Sequence, residues 1–482
     1  MQQQRFYDFI IIGTGASGSV LAHYLTTAGA SVCMLEAGRH FRPNQFPSDE
    51  LHANAGLTWN GGMDSSHDAR TVCIRGKVVG GGTIINNCLL DRFDDIALDD
   101  FRTKSGMDFY SRSRMDQHYQ EVESHLNLEY IPESDWNGNA HIYAEGFDKL
   151  GLKRAPLRRG QKNCDNANND CVVCLGGCPR RSKQSMTVSF LPSALAQGAH
   201  LIDQFHVHQI VHGHKQVAVY GTHNKTSKIL YARKCILAAG SLGTTELLLR
   251  SGFAKNLPAL GQGFHCHPQF MTMALMNDIV DAHKGAFQAL KSDEPRFRQQ
   301  GFKLENVFAG PAAIAMLKTG FGEQHQDFMA NYRRLACIEV AVRDEVPGRL
   351  HLNNKGHLVI DKPLSDIDQQ RAEAGLQQIR DIFRETGAKR IIESPLRIAL
   401  HLMGGCSIGQ DRASSVVNEQ FQVHDFPNLT IADGSIYPLA PGINPSLTIM
   451  AQSHRASQAL LAEFGVNNTI PFQQPMNREA SA

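Results

Sequence analysis

The chain has 482 residues, more than one ordinary hydrophobic core holds, and its 42% apolar and 20% charged residues exclude a disordered or fibrous protein. With 48 Lys and Arg against 47 Asp and Glu, it lacks the field that draws in nucleic acid or an anionic membrane and suits a small, weakly charged substrate. No apolar run reaches the roughly 20 residues of a bilayer span. The opening MQQQRFYDF also lacks the basic start and apolar core of a secretory signal, so a cytoplasmic protein without a transmembrane segment is expected.

In chain order, FYDFIII at 6–12 reads as a strand, 17–29 as a helix and SVCMLE at 31–36 as a second strand, a βαβ opening. Residues 40–75, rich in Pro, Asn, Gly, His and Asp, read as loop draped over a ligand. The pattern is helical over 112–127 and broken over 132–140. Strands follow at 199–222 and 228–240, then a helix from Thr244 to Arg250. Strand-like pieces at 338–361 and an amphipathic helix at 364–387 predict a second sheet with a covering helix. The polar tail after Asn468 reads as loose.

Gly13, Gly15 and Gly18 form GTGASG between strand and helix, with Ala16 and Ser17 inside it, and Glu36 ends the next strand. This is a dinucleotide site: glycines for a tight turn and close backbone approach, a helix N-terminus for pyrophosphate, and an acid for ribose hydroxyls. FAD and NAD both use it, whereas Glu36 disfavours the 2′-phosphate of NADP.

Four segments together resemble the glucose-methanol-choline (GMC) oxidoreductases, closest in form to the cholesterol-oxidase-like branch: 8–38, GKVVGGGTIINN at 76–87 with its flank, KCILAAGSLGTTELLLRSG at 234–252, and 401–455 with HLMGGCSIG and NLTIADGSIYPLAPGINPSLTIMAQSHRAS. The resemblance implies an α/β fold: an FAD-binding Rossmann-like domain (1–100, 185–265 and 401–470) with a discontinuous substrate-binding domain and cap (101–184 and 266–400). The latter has its own antiparallel or mixed sheet with covering helices, and 471–482 is a loose tail. Gly81, Gly82, Asn86 and Asn87 are then expected beside the flavin, since a triple glycine from Gly80 lets backbone lie against a flat ring. Some relatives carry a flavin-linked histidine where this chain has Ile85, so the FAD is expected to be non-covalent. Val207 is placed near the adenine, Ala239 and Gly240 where the chain returns to the cofactor, and Asp433 and Gly434 beside its phosphate and ribityl chain. Pro445 and Ser446 open a helix whose positive end faces the flavin.

Taking hydride from an alcohol carbon requires that the hydroxyl proton leave too, and imidazole suits that task. The resemblance carries the base onto His401 and a second polar contact onto Asn444, with hydride passing to flavin N5. The expected function is oxidation of a hydrophobic or cyclic alcohol to a carbonyl, with oxygen or an electron-accepting protein as final acceptor. The alternatives are a dehydrogenase subunit serving a protein partner and a non-redox lyase on the same fold. A nicotinamide dehydrogenase would need a second nucleotide site, which the sequence does not offer. His265 and His267 flank Cys266, but two histidines two apart on one strand lack a third ligand, so no metal site is expected there.

Of 11 cysteines, seven are scattered (Cys33, Cys73, Cys88, Cys235, Cys266, Cys337 and Cys406), as reduced thiols are. Cys164, Cys171, Cys174 and Cys178 cluster, with the last three in a CxxCxxxCP spacing that overlaps the ferredoxin pattern. Two readings stand: a loop tightened by disulfides or packed thiols, which the incomplete spacing favours, and an iron-sulfur cluster.

Overall fold

A computed structural model describes residues 6–166, 174–285 and 287–464. The loose tail expected after Asn468, and Cys171, lie outside the described residues. Strand Phe6–Ile12 pairs in parallel with Val32–Leu35 on one side and Thr226–Leu237 on the other. His200–Ile202 and Phe426–Ile431 extend the parallel run outward at its two ends. Phe9, Ile10 and Ile11 are all buried, because a parallel sheet is covered on both faces and shows no alternation. Helix Ala16–Thr27 connects the first two strands and packs against helix Ser446–Glu463 from the other end of the chain. An antiparallel pair, Phe205–His212 and Val217–His223, adds to Thr226–Leu237. One Rossmann-like sheet is thus assembled from three distant stretches of sequence.

The second sheet runs Asp64–Ser65, Thr71–Cys73, Arg390–Ala399, Pro268–Leu275, Leu335–Val342, Phe302–Asn306, Leu290–Ser292, Arg154–Pro156. It is antiparallel except where Arg390–Ala399 meets Thr71–Cys73. Helix Asp366–Glu385 covers it with Ala372, Ile379, Ile382 and Phe383 buried, and starts from a capping box in which Ser365 and Asp368 satisfy each other's backbone. In strand Phe302–Asn306, Phe302 and Leu304 join this apolar core, while Lys303 and Glu305 project from the other face.

Three readings need correction. Residues 40–75 are not all loop: they contain helix Glu50–Leu57, and Asp64–Ser65 and Thr71–Cys73 enter the second sheet as pieces too short to show a period. The stretch 132–140 is not simply a break. Asn137 accepts from the Ala140 amide and so opens helix Gly138–Lys149, the polar cluster serving as a helix start. His265 and His267 do not share a strand, because Gln262–Phe264 ends before them and Pro268–Leu275 begins after them.

Candidate active site

The tip of the first strand sets the nucleotide end of the site. Gly13 has φ +101°, and an added Cβ there would lie 2.3 Å from the Ala238 carbonyl oxygen, so the turn and the 238–240 crossing pack backbone to backbone. Gly18 packs as closely on the Gly13 carbonyl. Gly15, at φ −71°, faces open space, its nearest would-be neighbour being Gly81 Cα at 3.9 Å. Helix Ala16–Thr27 has no side-chain cap, and the buried Ser17 hydroxyl beside its first turn has no partner.

The Glu36 carboxylate accepts from the Thr14 amide (3.1 Å) and hydroxyl (2.8 Å) and from the Gly38 amide (2.9 Å), while burial pushes its pKa up against those bonds. Strand Phe205–His212 starts on the Glu36 carbonyl, which brings Val207 to the same end of the sheet. The Thr14 hydroxyl accepts from the Gly80 amide (2.9 Å), joining the first turn to the triple-glycine loop. Opposite, Asp433 gathers the Gly240 amide (2.8 Å), the Thr244 hydroxyl (2.6 Å) and the Ser435 amide (2.9 Å). Ala239 donates to Thr244 (3.2 Å), and the Gly434 carbonyl accepts from the Gly404 amide (2.9 Å).

This set fits a flavin dinucleotide: an open glycine face, an uncapped helix start, an orphaned hydroxyl and an acid. Gly82 leads into a single helical turn, Gly82–Ile85, and a Cβ on Gly82 would meet nothing within 4 Å. The two asparagines that follow differ. Asn86 Oδ1 is taken by the Cys88 amide (3.1 Å). Asn87 donates to Gln288 (2.8 Å) and leaves its buried Oδ1 without a partner, so Asn87 is the better placed to reach a flavin edge.

His401 follows strand Arg390–Ala399, and Asn444 precedes helix Ser446–Glu463, whose N-cap is Pro445. The two meet, with His401 Nε2 3.4 Å from Asn444 Nδ2. Behind them His267 brings its Nδ1 to 3.0 Å from His401 Nδ1 and accepts the Gly442 amide hydrogen at Nε2 (2.8 Å). That bond leaves the hydrogen of neutral His267 on Nδ1, directed at His401 Nδ1, so in this setting His401 carries its own hydrogen on Nε2. Its 3.4 Å approach to Asn444 Nδ2 is then a contact of two donors, able to converge on one oxygen, rather than a hydrogen bond. Burial, then the Lys303 charge, lowers the His401 pKa to about 3. His267 is also held well below its ordinary value, by burial and then by His401 and Lys303. Both rings are therefore neutral at neutral pH.

Lys303 Nζ donates to Asn444 Oδ1 (2.6 Å) and pairs with Glu305. Lys303 and Glu305 escaped the sequence reading, which named His267 only to set aside a metal site there. Alternation in FKLEN puts Lys303 and Glu305 on one face of the strand but does not say what that face meets. His265, by contrast, is structural: it binds Asp344 (2.6 Å), which also holds Lys362 (3.0 Å).

Cys88, Cys164, Cys174 and Cys178 line one cavity, together with Arg159 and Lys183. Among the described residues no group of three or more His, Cys, Asp or Glu side chains is placed to hold a metal ion, so the iron-sulfur reading gains no support. Lys183 occupies the cavity wall instead, donating to the carbonyls of Ile84 (2.5 Å), Asn86 (2.9 Å) and Cys174 (2.7 Å). No described helix is long and apolar enough to cross a membrane.

A glycine turn and a buried acid on a Rossmann-like sheet, with an imidazole meeting an amide before a helix start, suit the class of dinucleotide-dependent oxidoreductases. Family models described as GMC oxidoreductase match residues 7–269 and 345–453. The chain belongs to the GMC oxidoreductase family, whose members are FAD-dependent enzymes acting on CH–OH groups. It is 28% identical to an uncharacterised GMC-type oxidoreductase of Sinorhizobium fredii, over 94% of each chain. It is 23% identical to a cholesterol oxidase of Acinetobacter baumannii, over 95% of each. To a long-chain-alcohol oxidase of Arabidopsis thaliana it is 24% identical, over 94% of this chain and 67% of the other. In fold it is similar to pyridoxine 4-oxidase from Mesorbium loti, with a TM-score of 0.75 at 15% identity over 94% and 98% of the two chains.

Proposed function

We propose that the chain oxidises a hydrophobic alcohol to the carbonyl, with His401 and Asn444 holding the hydroxyl oxygen and His401 taking its proton. The observation that carries this reading is the meeting of His401 Nε2 and Asn444 Nδ2 just before helix Ser446–Glu463. Residues 13–18, Glu36, Val207, 239–240 and 433–434 would hold the adenosine, pyrophosphate and ribityl parts of FAD, and 81–87 with 445–446 the ring. Bound FAD would supply the hydride acceptor.

A neutral imidazole is the form that can accept a proton, and burial keeps His401 neutral. To accept at Nε2 it must place its hydrogen on Nδ1, donate it to His267 Nδ1 and leave His267 protonated at Nε2, which displaces the Gly442 amide. The pair thus has two settings, one offering His401 Nε2 as a donor to a carbonyl oxygen and one as an acceptor from a hydroxyl. The charge of Lys303 is met by Glu305, so nothing at the site calls for an anionic substrate. The names of the alcohol-oxidising relatives support an uncharged, apolar alcohol; the final acceptor is oxygen or a protein partner.

The test is anaerobic mixing of purified flavoprotein with 1-dodecanol, cyclohexanol and benzyl alcohol. Bleaching of the visible flavin band, slowed about a hundredfold or more in His401→Asn, is expected. Unchanged absorbance with all three would overturn the reading and favour non-redox chemistry, whereas oxygen uptake after bleaching separates an oxidase from a dehydrogenase subunit.

A further inference from the structure

Beyond the two groups assigned to the alcohol oxygen, one face of the second sheet carries a polar chain that leads back to the glycine loop. Asn87 Nδ2 donates to Gln288 Oε1 (2.8 Å), Gln288 Nε2 donates to Glu305 (2.9 Å), Glu305 pairs with Lys303, and Lys303 donates to Asn444 Oδ1 (2.6 Å). Glu305 sits in register with Glu339 on the neighbouring strand. Glu305, Glu339, Gln288 and Asn444 are all buried, and Lys303 is 16% exposed in its side chain. Buried charge with this many mutual bonds is costly to assemble and contributes less to stability than apolar packing of the same volume, so its position at the site calls for a role there.

We propose that Lys303 is a positioning residue of the alcohol site, fixing which end of the Asn444 amide faces His401 and tying that pair through Glu305 and Gln288 to Asn87. The inference rests on the reading of His401 and Asn444 as the pair that holds the alcohol. The two ends of an amide are chemical opposites: one oxygen that only accepts, one nitrogen that only donates. An ammonium can bond only the oxygen, so Lys303 leaves Nδ2 to face His401 and the substrate. Asn444 then donates to a lone pair of the alcohol oxygen, and the hydroxyl hydrogen is left for His401. Rotated by half a turn, the same amide would present Oδ1, accept that hydrogen itself and compete with the base.

The ammonium has a second effect, since its charge faces the His401 ring and disfavours the imidazolium. Lys303 is the charge that acts on His401, while His401, Lys303, Arg298 and Arg343 all act on His267. Burial and the Glu305 charge push Glu339 well above its ordinary value and so keep it protonated. Lys303 is matched by its ion pair with Glu305.

The experiment compares Lys303→Met, Lys303→Arg and the double variant Lys303→Met/Glu305→Gln. The double variant removes both charges together, so that no carboxylate is left buried alone if the single change fails to fold. FAD content per chain, read from visible absorbance, is expected to stay at the wild-type level in all three. With whichever of the three alcohols bleaches the wild-type flavin fastest, kcat/KM is expected to fall at least about tenfold in Lys303→Met and in the double variant, and to recover to within about threefold in Lys303→Arg. Independently of any substrate, histidine NMR of the holoenzyme, with the His401 signal assigned by its loss in His401→Asn, should show His401 protonating at higher pH once the ammonium is gone. If Lys303→Met and the double variant keep kcat/KM within twofold and His401 titrates as in the wild type, the positioning role is wrong. If no alcohol bleaches the wild-type flavin, the alcohol reading fails on its own, and the NMR titration still decides whether Lys303 governs His401.

Discussion

The Nδ1 atoms of His267 and His401 lie 3.0 Å apart with their rings at 81°, so a single hydrogen joins the proposed base to a second imidazole. His267 is anchored in turn by the Gly442 amide, two residues before Asn444. The tautomer that His401 presents to substrate is therefore decided from behind. Replacing His267 by Phe removes both bonds while keeping a ring, and kcat should fall about 10–100-fold with FAD content unchanged. Asn at the same position can accept from Gly442 and donate toward His401, so the loss should be smaller. Steady-state kcat beside visible flavin absorbance checks this, and equal rates in the two variants would leave His267 as packing alone.

The glycine turn makes two neighbouring positions fail in different ways. At Gly15 the backbone already suits alanine, and an added Cβ meets no protein atom nearer than 3.9 Å, so Gly15→Ala should fold with an unchanged apoprotein melting temperature. That methyl occupies the space proposed for the pyrophosphate, and FAD affinity should drop at least about tenfold, ~1.4 kcal/mol. Gly13→Ala instead forces φ +101° on a side-chain residue and drives its Cβ to 2.3 Å from the Ala238 oxygen. The apoprotein itself should lose ~1–3 kcal/mol. Thermal melts of FAD-stripped protein, with FAD titration of each variant, separate the two outcomes.

What the sequence made legible follows from the range of the interactions involved. The βαβ opening, the paired Thr226–Leu237 strand and helix Asp366–Glu385 announce themselves through periodicity and caps that lie within a dozen residues. His401 and Asn444 could be proposed because motifs surround them. Lys303 and Glu305 could not, since nothing local distinguishes a charged residue facing an active site from one facing solvent. Their meaning comes from Asn444, 141 residues away, and from Gln288 on the approach to another strand. The contact of His267 with His401 was hidden for the same reason: its partner is 134 residues distant, and the strand break on either side of it is invisible to a two-residue period.

Lys183 offers a test of how the cysteine loop supports the glycine loop. Its ammonium is 2% exposed as a residue and bonds three carbonyls, two of them on the 80–87 loop. Lys183→Met fills similar volume but strands those carbonyls, and should cost about 3 kcal/mol of stability. Amide hydrogen exchange over 80–87 should quicken while exchange in strand Phe6–Ile12 stays unchanged. Uniform quickening across both would mean that the lysine supports the whole fold rather than that loop.

Acid stability tests a second histidine cluster, away from the alcohol site. His118 and His454 bring their Nδ1 atoms to 3.3 Å beneath helix Ala16–Thr27, and His23 lies on that helix. Burial is the largest cause lowering all three, to about 3 for His118 and about 4 for His454 and His23, from the ordinary 6.5. Because their folded pKa values lie below the unfolded one, the unfolded chain binds more protons as pH falls below 6.5, and stability is lost in that direction. Each histidine contributes a slope of up to ~1.4 kcal/mol per pH unit, so together they reach about 4. Nearby Glu121, lowered to about 2 chiefly by its bond to His125, loses its contribution only below its ordinary 4.5, leaving the interval from 6.5 to 4.5 to these three histidines and to the buried His267 and His401, which act with the same sign. Urea unfolding at pH 7, 6 and 5 should show the decline. His118→Phe, which removes a ring whose buried Nε2 has no partner, should flatten it by about one proton. Equal stability at pH 7 and pH 5 would mean that these rings are charged in the native state, and the cluster would then need an anion to hold it.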